Sequence, residues 1–179
     1  LGDMRDAGRM AEILRIVEPH IVIVAAALKH IDQCESQPSE CIKTNVIGVG
    51  NVISACEARG DIETVVFVST DKACLPVNTY GLSKSLAEKI TLDAAARSST
   101  TKFLVVRYGN VIMSRGSIVP KLLDLCKDKN TKFLPLTDPV MTRFFMTLGD
   151  ATNLIKAAII QGTCGDTWIP KITSFNIGE

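Results

Sequence analysis

The sequence has few histidines and almost no excess charge, and each shortage excludes classes of function. The 179 residues include only two histidines, His20 and His30. Neither a histidine-built zinc site nor a Ser-His-Asp catalytic relay has the residues it needs, so we predict no bound metal. The 20 basic and 19 acidic residues leave a net charge of +1, which gives no basic surface for nucleic acid or an anionic membrane.

Long apolar runs and secretion signals are also missing. The longest apolar stretch, IVIVAAAL at 21–28, is much shorter than a membrane-spanning helix, and no basic-then-apolar segment opens the chain. The six cysteines lie far apart, with no Cys-x-x-Cys pair, which indicates reduced and mostly buried thiols. We therefore expect a soluble, cytoplasmic protein without a membrane segment.

What the sequence does contain is a regular alternation of helical patterns and unbroken apolar strands. A length of 179 residues, 46% of them apolar, suits one globular domain. The first part of the chain predicts helix, strand, helix, strand, helix and strand at about 10–17, 21–28, 38–59, 64–70, 80–97 and 102–109. Unbroken apolar strands are typical of parallel sheets covered on both faces, so we predict an α/β fold with a Rossmann-like, doubly wound parallel sheet.

The remainder of the chain has a looser pattern. It predicts a helix near 118–129, a short strand at 133–136 and a loop at 141–144. A helix near 149–161 and a last strand at 167–171 follow, and Trp168 in that strand is expected to pack in the core. In open parallel sheets ligands bind beyond the carboxyl ends of the strands, and polar residues collect at three such ends: 29–30, 69–72 and 108–110.

The stretch VSTDKACLPVNTYGLSK at 68–84 concentrates the reactive side chains. Tyr80 and Lys84 are four residues apart on a predicted helix and therefore share one face. A nearby ammonium group favours the phenolate, so we expect Lys84 to lower the pKa of Tyr80. Thr70, at the end of the preceding strand, is placed to share hydrogen bonds with a substrate hydroxyl. Alone, Tyr-x-x-x-Lys is equally compatible with a solvated pair on an exposed helix.

The context of this pair resembles the extended short-chain dehydrogenase/reductase family. The Tyr-Lys pair follows a strand ending in Ser-Thr and opens the helix that leads to the next strand, and Asn45 lies in the preceding helix. Further motifs are similar to the inverting UDP-N-acetylglucosamine 4,6-dehydratases of polysaccharide and flagellin-glycan biosynthesis: TDKA (70–73), AAALKH (25–30), RYGNV (107–111), SRGS (114–117) and MTRF (141–144).

The resemblance implies a redox-assisted elimination on a nucleotide sugar. Thr70, Tyr80 and Lys84 would support oxidation at carbon 4 by a tightly bound NADP, with NAD as the alternative. Lys72 would then remove the proton on carbon 5, and Asp71 would protonate the hydroxyl that leaves carbon 6. The product is a UDP-4-keto-6-deoxy hexosamine inverted at carbon 5. The simpler interpretation of Asp71 and Lys72 is an ion pair at a solvated loop.

The resemblance also implies the remaining binding residues. Tyr80 and Lys84 would contact the cofactor, together with Asp3, Met4, Ala25, Ala26, Ala27 and Asn45. The sugar nucleotide would contact Lys29, His30, Asn110, Arg115, Ser117, Lys121 and Arg143. Simpler interpretations stay open for the alanines as core residues and for His30 as a surface histidine, whereas capping of the following helix is expected of Asp6 rather than Asp3.

The resemblance predicts that the chain is partial. No Gly-x-Gly-x-x-Gly or Gly-x-x-Gly-x-x-Gly motif occurs, although a dinucleotide-binding turn needs such glycines. We therefore expect the first βαβ unit upstream of residue 1, an NADP-binding part at 1–112 and an incomplete substrate-binding region at 113–179. The alternatives are an NADP-dependent 4-epimerase or reductase, and a non-catalytic nucleotide-sugar-binding relative. A homo-oligomer is expected by analogy.

Overall fold

A computed structural model describes residues 1–114, 117–128, 131–135, 138 and 140–177. The amino-terminal elements are α1 (Ala7–Val17), β1 (Ile21–Val24), α2 (Ile31–Ser36), α3 (Pro38–Ile42), a π-helix (Lys43–Gly48), α4 (Val49–Arg59), β2 (Thr64–Thr70), a 3-10 turn (Asp71–Ala73), α5 (Thr79–Arg97) and β3 (Lys102–Tyr108). The later elements are β4 (Asn110–Val111), α6 (Ile118–Lys127), β5 (Thr142–Met146), α7 (Leu148–Gln161), β6 (Thr167–Trp168) and β7 (Ser174–Asn176).

The larger sheet is parallel and has the strand order β1-β2-β3-β6. Every residue of β2 is buried, because helices cover both faces of the sheet at this strand. One core layer forms beneath α1, α4 and α5, and a second beneath α7, where Trp168 packs as predicted. The sheet confirms the predicted Rossmann-like class.

The edge strand β1 departs from the prediction. The ladder with β2 ends at Val24, so residues 25–30 follow as irregular chain rather than as strand. Ile21 and Ile23 are exposed, and the expectation that every strand is covered on both faces is wrong for β1. The irregular segment carries the alanines and the Lys29-His30 pair past the end of the sheet.

The predicted helix 38–59 contains a change of helical winding. The π-helix separates α3 from α4, and each wider π turn shifts the residues that follow it around the helix axis. Ile42, just before the π-helix, is 46% exposed, while Cys41 and Asn45 are buried. Asn45 lies within the π turn, and its side chain is hydrogen-bonded to Leu28 in the irregular segment after β1.

The carboxyl-terminal part corrects three further predictions. Residues 141–144 were expected as a loop, but β5 lies there and pairs with β4 and β7 in a second sheet. The expected strand at 133–136 is irregular over 131–135, and its last residue lies outside the described residues. The strand expected at 167–171 is limited to β6, which joins the larger sheet. Whether a short run of residues forms a strand depends on backbone pairing with strands that are distant in the chain. The run itself does not show whether such a partner exists.

The cysteines are less buried than predicted. All six are free, but only Cys34, Cys41 and Cys56 are buried, whereas Cys74, Cys126 and Cys164 are exposed. The three buried thiols lie on α2, α3 and α4. None of the helices that the structure describes combines the length and apolar character needed to cross a bilayer.

Candidate active site

A cavity of about 440 Å³ opens beyond the carboxyl ends of β1, β2 and β3. The structure brings together ten of the predicted site residues in its lining, namely Ala25, Ala27, Lys29, His30, Thr70, Lys72, Tyr80, Lys84, Asn110 and Ser117. Three strand ends thus contribute to one crevice, because parallel strands end at the same edge of a sheet.

The start of α5 is fixed by two carboxylate or amide oxygens. The Asn78 side chain caps the helix by accepting from the Gly81 amide at 2.8 Å, and Glu35 accepts from the Thr79 amide at 2.6 Å. The capped first turn holds Tyr80 in the cavity wall, and Lys84 follows one turn later on the same side.

Lys84 is buried, and its ammonium group contacts a backbone carbonyl and an aromatic ring. Its Nζ donates to the Val68 carbonyl oxygen at 2.6 Å and lies 4.0 Å from the centroid of the Phe67 ring. Burial lowers the pKa of Lys84 to about 8, and the carboxylate of Glu88 opposes that shift. The amine is therefore much easier to deprotonate than an exposed lysine.

The expected effect of Lys84 on Tyr80 is wrong. Burial raises the pKa of Tyr80 to about 12, with the charge of Asp71 as a further cause, and a hydrogen bond with Thr70 only partly opposes this. The ammonium of Lys84 is engaged by the Val68 carbonyl and the Phe67 ring rather than by the phenol. Spacing of four residues predicted a shared face but not this competition for the ammonium.

Polar side chains beyond β2 form a connected chain. The hydroxyl of Thr70 donates to Asp71 Oδ1 at 2.8 Å, and Lys72 Nζ donates to the same oxygen at 3.1 Å. Lys72 Nζ also donates to Asn110 Oδ1 at 3.4 Å. The ion pair that the simpler interpretation predicted is therefore present. The pair is only partly solvated, since the side chains of Lys72 and Asp71 are 29% and 28% exposed, and Lys72 lines the cavity.

Gly81 allows α5 to approach the turn that carries Asp71 and Lys72. A Cβ atom at Gly81 would lie 2.3 Å from the Lys72 carbonyl oxygen and 3.1 Å from the Cβ of Pro76. Backbone cannot yield as a flexible side chain does, so a side chain here would push the turn away from the helix. The glycine sets the spacing between Tyr80 and Lys72.

Asn45 lies behind the cavity wall. Its Oδ1 accepts from the Leu28 amide at 2.8 Å, and its Nδ2 donates to the Leu28 carbonyl oxygen at 2.9 Å and to Ser83 Oγ at 3.0 Å. The Ser83 hydroxyl in turn donates to the Tyr80 carbonyl oxygen at 2.8 Å. Asn45 thereby ties the segment before Lys29 to the helix of Tyr80. In this arrangement it positions the wall, and contact with a cofactor stays a prediction.

A second cavity of about 290 Å³ is lined by Gly2, Met4, Ala25 and Ala26, among others. Ala25 lines both cavities, so together they outline a cleft along the end of β1. Asp3 pairs with Arg5 at 2.6 Å, and its hydrogen bonds with Arg5 lower the pKa of its carboxyl to about 2. The small side chains of Ala25 and Ala26 leave room where the two cavities meet, as close approach of a dinucleotide requires, and the buried Ser69 hydroxyl of the first cavity has no partner among the described residues.

Two of the predicted substrate residues that the structure describes lie outside the cavity. Lys121 and Arg143 are exposed and lie outside the lining of the described cavities, and Arg143 donates to the Thr142 carbonyl oxygen at 2.9 Å. Arg115 lies outside the described residues. Within the described part of the chain, no group of three or more histidines, cysteines and carboxylates is arranged to hold a metal ion.

Several lining residues had no predicted role. Ser69 and Tyr108 stand at strand ends, and Ser114 belongs to a quoted motif, so position alone could have identified them. Burial raises the pKa of Tyr108, which keeps it a neutral phenol. Leu148, the first residue of α7, also lines the cavity, and no local sequence pattern predicts this position for it.

The chain is similar in sequence to curated proteins that are named as nucleotide-sugar enzymes. The chain is 43% identical over 181 residues to a UDP-N-acetylglucosamine 4,6-dehydratase (inverting) from Campylobacter jejuni, covering 100% of this chain and 53% of the relative. It is also 43% identical over 173 residues to a UDP-glucose 4-epimerase from Rickettsia canadensis, covering 96% of this chain and 49% of the relative. The chain thus spans about half the length of the curated relatives it matches.

Solved structures share the fold. Pen from Bacillus thuringiensis matches with a TM-score of 0.91 and 36% identity, over 99% of this chain and 54% of that one. DesIV from Streptomyces venezuelae, a dTDP-glucose 4,6-dehydratase, matches with a TM-score of 0.83 and 22% identity, over 98% of this chain and 58% of that one. The family described as "Polysaccharide biosynthesis protein" matches residues 1–179, and the chain therefore belongs to that family.

Proposed function

We propose that this chain carries the active site of a nucleotide-sugar 4,6-dehydratase. The proposed reaction converts UDP-N-acetylglucosamine to a UDP-4-keto-6-deoxy hexosamine, with inversion at carbon 5. The observation that carries the proposal is that Lys72 and Tyr80 line one cavity while Asp71 is bonded to Lys72. The likeness to the Campylobacter jejuni dehydratase supports the choice of substrate.

The first half of the reaction is assigned to Tyr80, Thr70 and Lys84. When bound, a nicotinamide cofactor would take up hydride from carbon 4 of the sugar and later return hydride to carbon 6. Tyr80 is a neutral phenol in the ligand-free cavity, so it first gives up its own proton to solvent; the phenolate then takes the proton of the carbon 4 hydroxyl, and Thr70, which is hydrogen-bonded to Tyr80, shares that hydroxyl. Lys84 supplies the positive charge of its ammonium group. Burial lowers the pKa of Lys84, and a bound ligand that contacts the amine would favour its charged form.

The second half is assigned to the ion pair of Asp71 and Lys72. Transfer of one proton from Lys72 Nζ to Asp71 Oδ1, across 3.1 Å, makes the amine a base and the carboxyl an acid together. Lys72 then accepts the carbon 5 proton, and Asp71 protonates the hydroxyl that leaves carbon 6 as water. The elimination ends with the ion pair restored and its net charge unchanged, and the inverted product would form when hydride adds to carbon 6 and a solvent proton adds to the opposite face of carbon 5.

The cofactor is proposed to be NADP, with NAD as the alternative, and it would lie along the cleft that joins the two cavities at Ala25. Met4 and Ala26 would hold its distal end, and Tyr80 and Lys84 its reactive end. A homo-oligomer also stays a prediction; the apolar side chains of Leu82 and Leu86 are exposed one turn apart on α5, as an association surface would require.

The second candidate is a 4-epimerase, favoured by the Rickettsia canadensis relative. An epimerase needs the tyrosine and a hydride carrier but no base for carbon 5, so Lys72 would have no chemical task. A non-catalytic binding protein would be expected to lack one of Thr70, Asp71, Lys72, Tyr80 and Lys84, and all five are present.

The test is the replacement of Lys72 in the full-length protein. Lys72→Ala should reduce dehydration of UDP-N-acetylglucosamine by about 1,000-fold, within the range that loss of a positioned base produces. Lys89→Ala, an exposed lysine on α5, is the matched control and should leave the rate unchanged. A Lys72→Ala protein that dehydrates normally, or a wild-type protein that only epimerises its substrate, would contradict the proposal.

A further inference from the structure

Two buried hydroxyl oxygens in the described part of the chain have no hydrogen-bond partner: Ser69 Oγ and Ser117 Oγ. Both residues line the same cavity, the one that contains Tyr80 and Lys72. Buried hydroxyls in proteins are nearly always hydrogen-bonded, because an unpaired one has lost its water without replacement. Two unpaired hydroxyls in one cavity indicate partners that a ligand brings.

Ser69 is the more deeply buried of the two residues. It is 4% exposed, and it stands on β2 between Val68 and Thr70. The neighbouring polar groups are already committed: the Val68 carbonyl accepts from Lys84, and the Thr70 hydroxyl donates to Asp71. The protein therefore offers the Ser69 hydroxyl neither a donor nor an acceptor.

The position of Ser69 along the sheet selects between the two expected ligands. Val24 of β1 pairs with Phe67 of β2, so Ser69 lies two residues further on, beside the Ala25–Ala27 segment where the two cavities meet. Lys84, only 3% exposed, lies at the same depth. Lys72 and its partner Asn110 are less buried than Ser69 and Lys84.

We propose that the Ser69 hydroxyl is a hydrogen-bond partner of the bound cofactor, at the nicotinamide and ribose end of a pyridine dinucleotide. The inference rests on the proposed function and adds to it a binding residue that the motif comparison did not identify. The hydroxyl can donate to or accept from a ribose hydroxyl or a carboxamide, and both occur at that end of the cofactor.

The chain provides a matched control in Ser83. Ser83 is also 4% exposed, but its hydroxyl donates to the Tyr80 carbonyl oxygen and accepts from Asn45. Ser83→Ala therefore removes two hydrogen bonds between buried groups, whereas Ser69→Ala removes a hydroxyl that has no partner among the described residues. The same substitution at the same burial should have opposite effects on folding.

The experiment compares the two variants in the full-length protein. NAD and NADP are titrated separately, UDP-N-acetylglucosamine is titrated as the competing ligand, and thermal unfolding is followed without added ligand. Ser69→Ala should weaken binding of the preferred dinucleotide about fivefold to tenfold, the loss of one hydrogen bond, with an unfolding midpoint equal to or above the wild type. Ser83→Ala should lower the unfolding midpoint.

Unchanged dinucleotide affinity in Ser69→Ala would overturn the inference, as would a fall in its unfolding midpoint equal to that of Ser83→Ala. Weaker binding of the sugar nucleotide alone would also overturn it, because the hydroxyl would then serve the substrate. If the wild type binds a dinucleotide but does not dehydrate UDP-N-acetylglucosamine, the proposed function fails while the affinities of the two variants still decide the role of Ser69.

Discussion

At Gly81 the helix of Tyr80 lies so close to the backbone of Lys72 that a methyl group does not fit between them. Gly81→Ala should displace the turn of residues 71–73, lower the free energy of unfolding by about 1–3 kcal/mol and slow dehydration about 100-fold. The reason is that the base and the tyrosine must reach adjacent carbons of one sugar ring. Denaturant unfolding and product formation in the full-length protein measure the two effects.

Gly50 supplies the control for that change. A Cβ atom at Gly50, inside α4, would meet no atom within 4 Å. Gly50→Ala should therefore leave dehydration unchanged and stabilise the helix slightly. Equal effects of Gly81→Ala and Gly50→Ala on dehydration would show that the close approach at Gly81 has no catalytic consequence.

The pKa of Lys84 predicts a pH dependence of stability. Burial lowers that pKa from 10.5 to about 8, so between these values the unfolded chain binds a proton that the folded protein does not. The free energy of unfolding should rise by about 3 kcal/mol as the pH increases through this window, and Lys84→Met should remove the rise. Tyr80 acts in the opposite direction at higher pH, because its pKa is raised from 10.0 to about 12.

Chemical denaturation at a series of pH values, without added cofactor, measures this dependence as the difference between wild type and Lys84→Met. A difference that stays constant between about pH 8 and pH 10 would show that Lys84 keeps its ordinary affinity for protons. Taking the difference removes the contributions of the other titrating groups.

At the scale of elements, a buried ion pair joins α5 to β3. Arg107 donates to both carboxylate oxygens of Glu88, at 3.0 and 2.5 Å, and the Glu88 side chain is 6% exposed. Glu88→Ala should lower the free energy of unfolding by about 3 kcal/mol, because Arg107 is left without its counter-charge in a largely desolvated position. Denaturant unfolding measures the loss.

Asp124 on α6 provides the comparison, since its pair with Lys127 spans 3.3 Å with both side chains more than 70% exposed. Asp124→Ala should change the free energy of unfolding by less than about 1 kcal/mol. A Glu88→Ala protein as stable as Asp124→Ala would mean that the α5–β3 pair contributes nothing beyond a surface contact.

Local sequence predicted the elements that carry the catalytic residues better than it predicted those that surround them. The strand 64–70 and the helix begun near Tyr80 were expected, because caps and apolar runs are local signals. The π turn around Asn45 and the strand β5 were not, because winding defects and long-range pairing depend on partners distant in the chain.

At the scale of the whole molecule, the convergence of strand ends predicted which residues share a cavity, and ten of the named residues do. The electrostatics of that cavity could not be predicted from spacing. The pKa of Tyr80 depends on how completely the fold buries it and on the Val68 carbonyl that engages Lys84. Lys121 and Arg143 show the converse, since the family resemblance assigned them to a cavity whose described lining does not include them.

The central claim is that one cavity both oxidises a sugar and removes the proton that the new ketone acidifies. Incubating the full-length protein with UDP-N-acetylglucosamine in deuterated water, and analysing the product by mass and NMR, tests it directly. The account predicts a product without its 6-hydroxyl that carries solvent deuterium at carbon 5. An epimerised hexose with its 6-hydroxyl intact and no deuterium at carbon 5 would contradict the account.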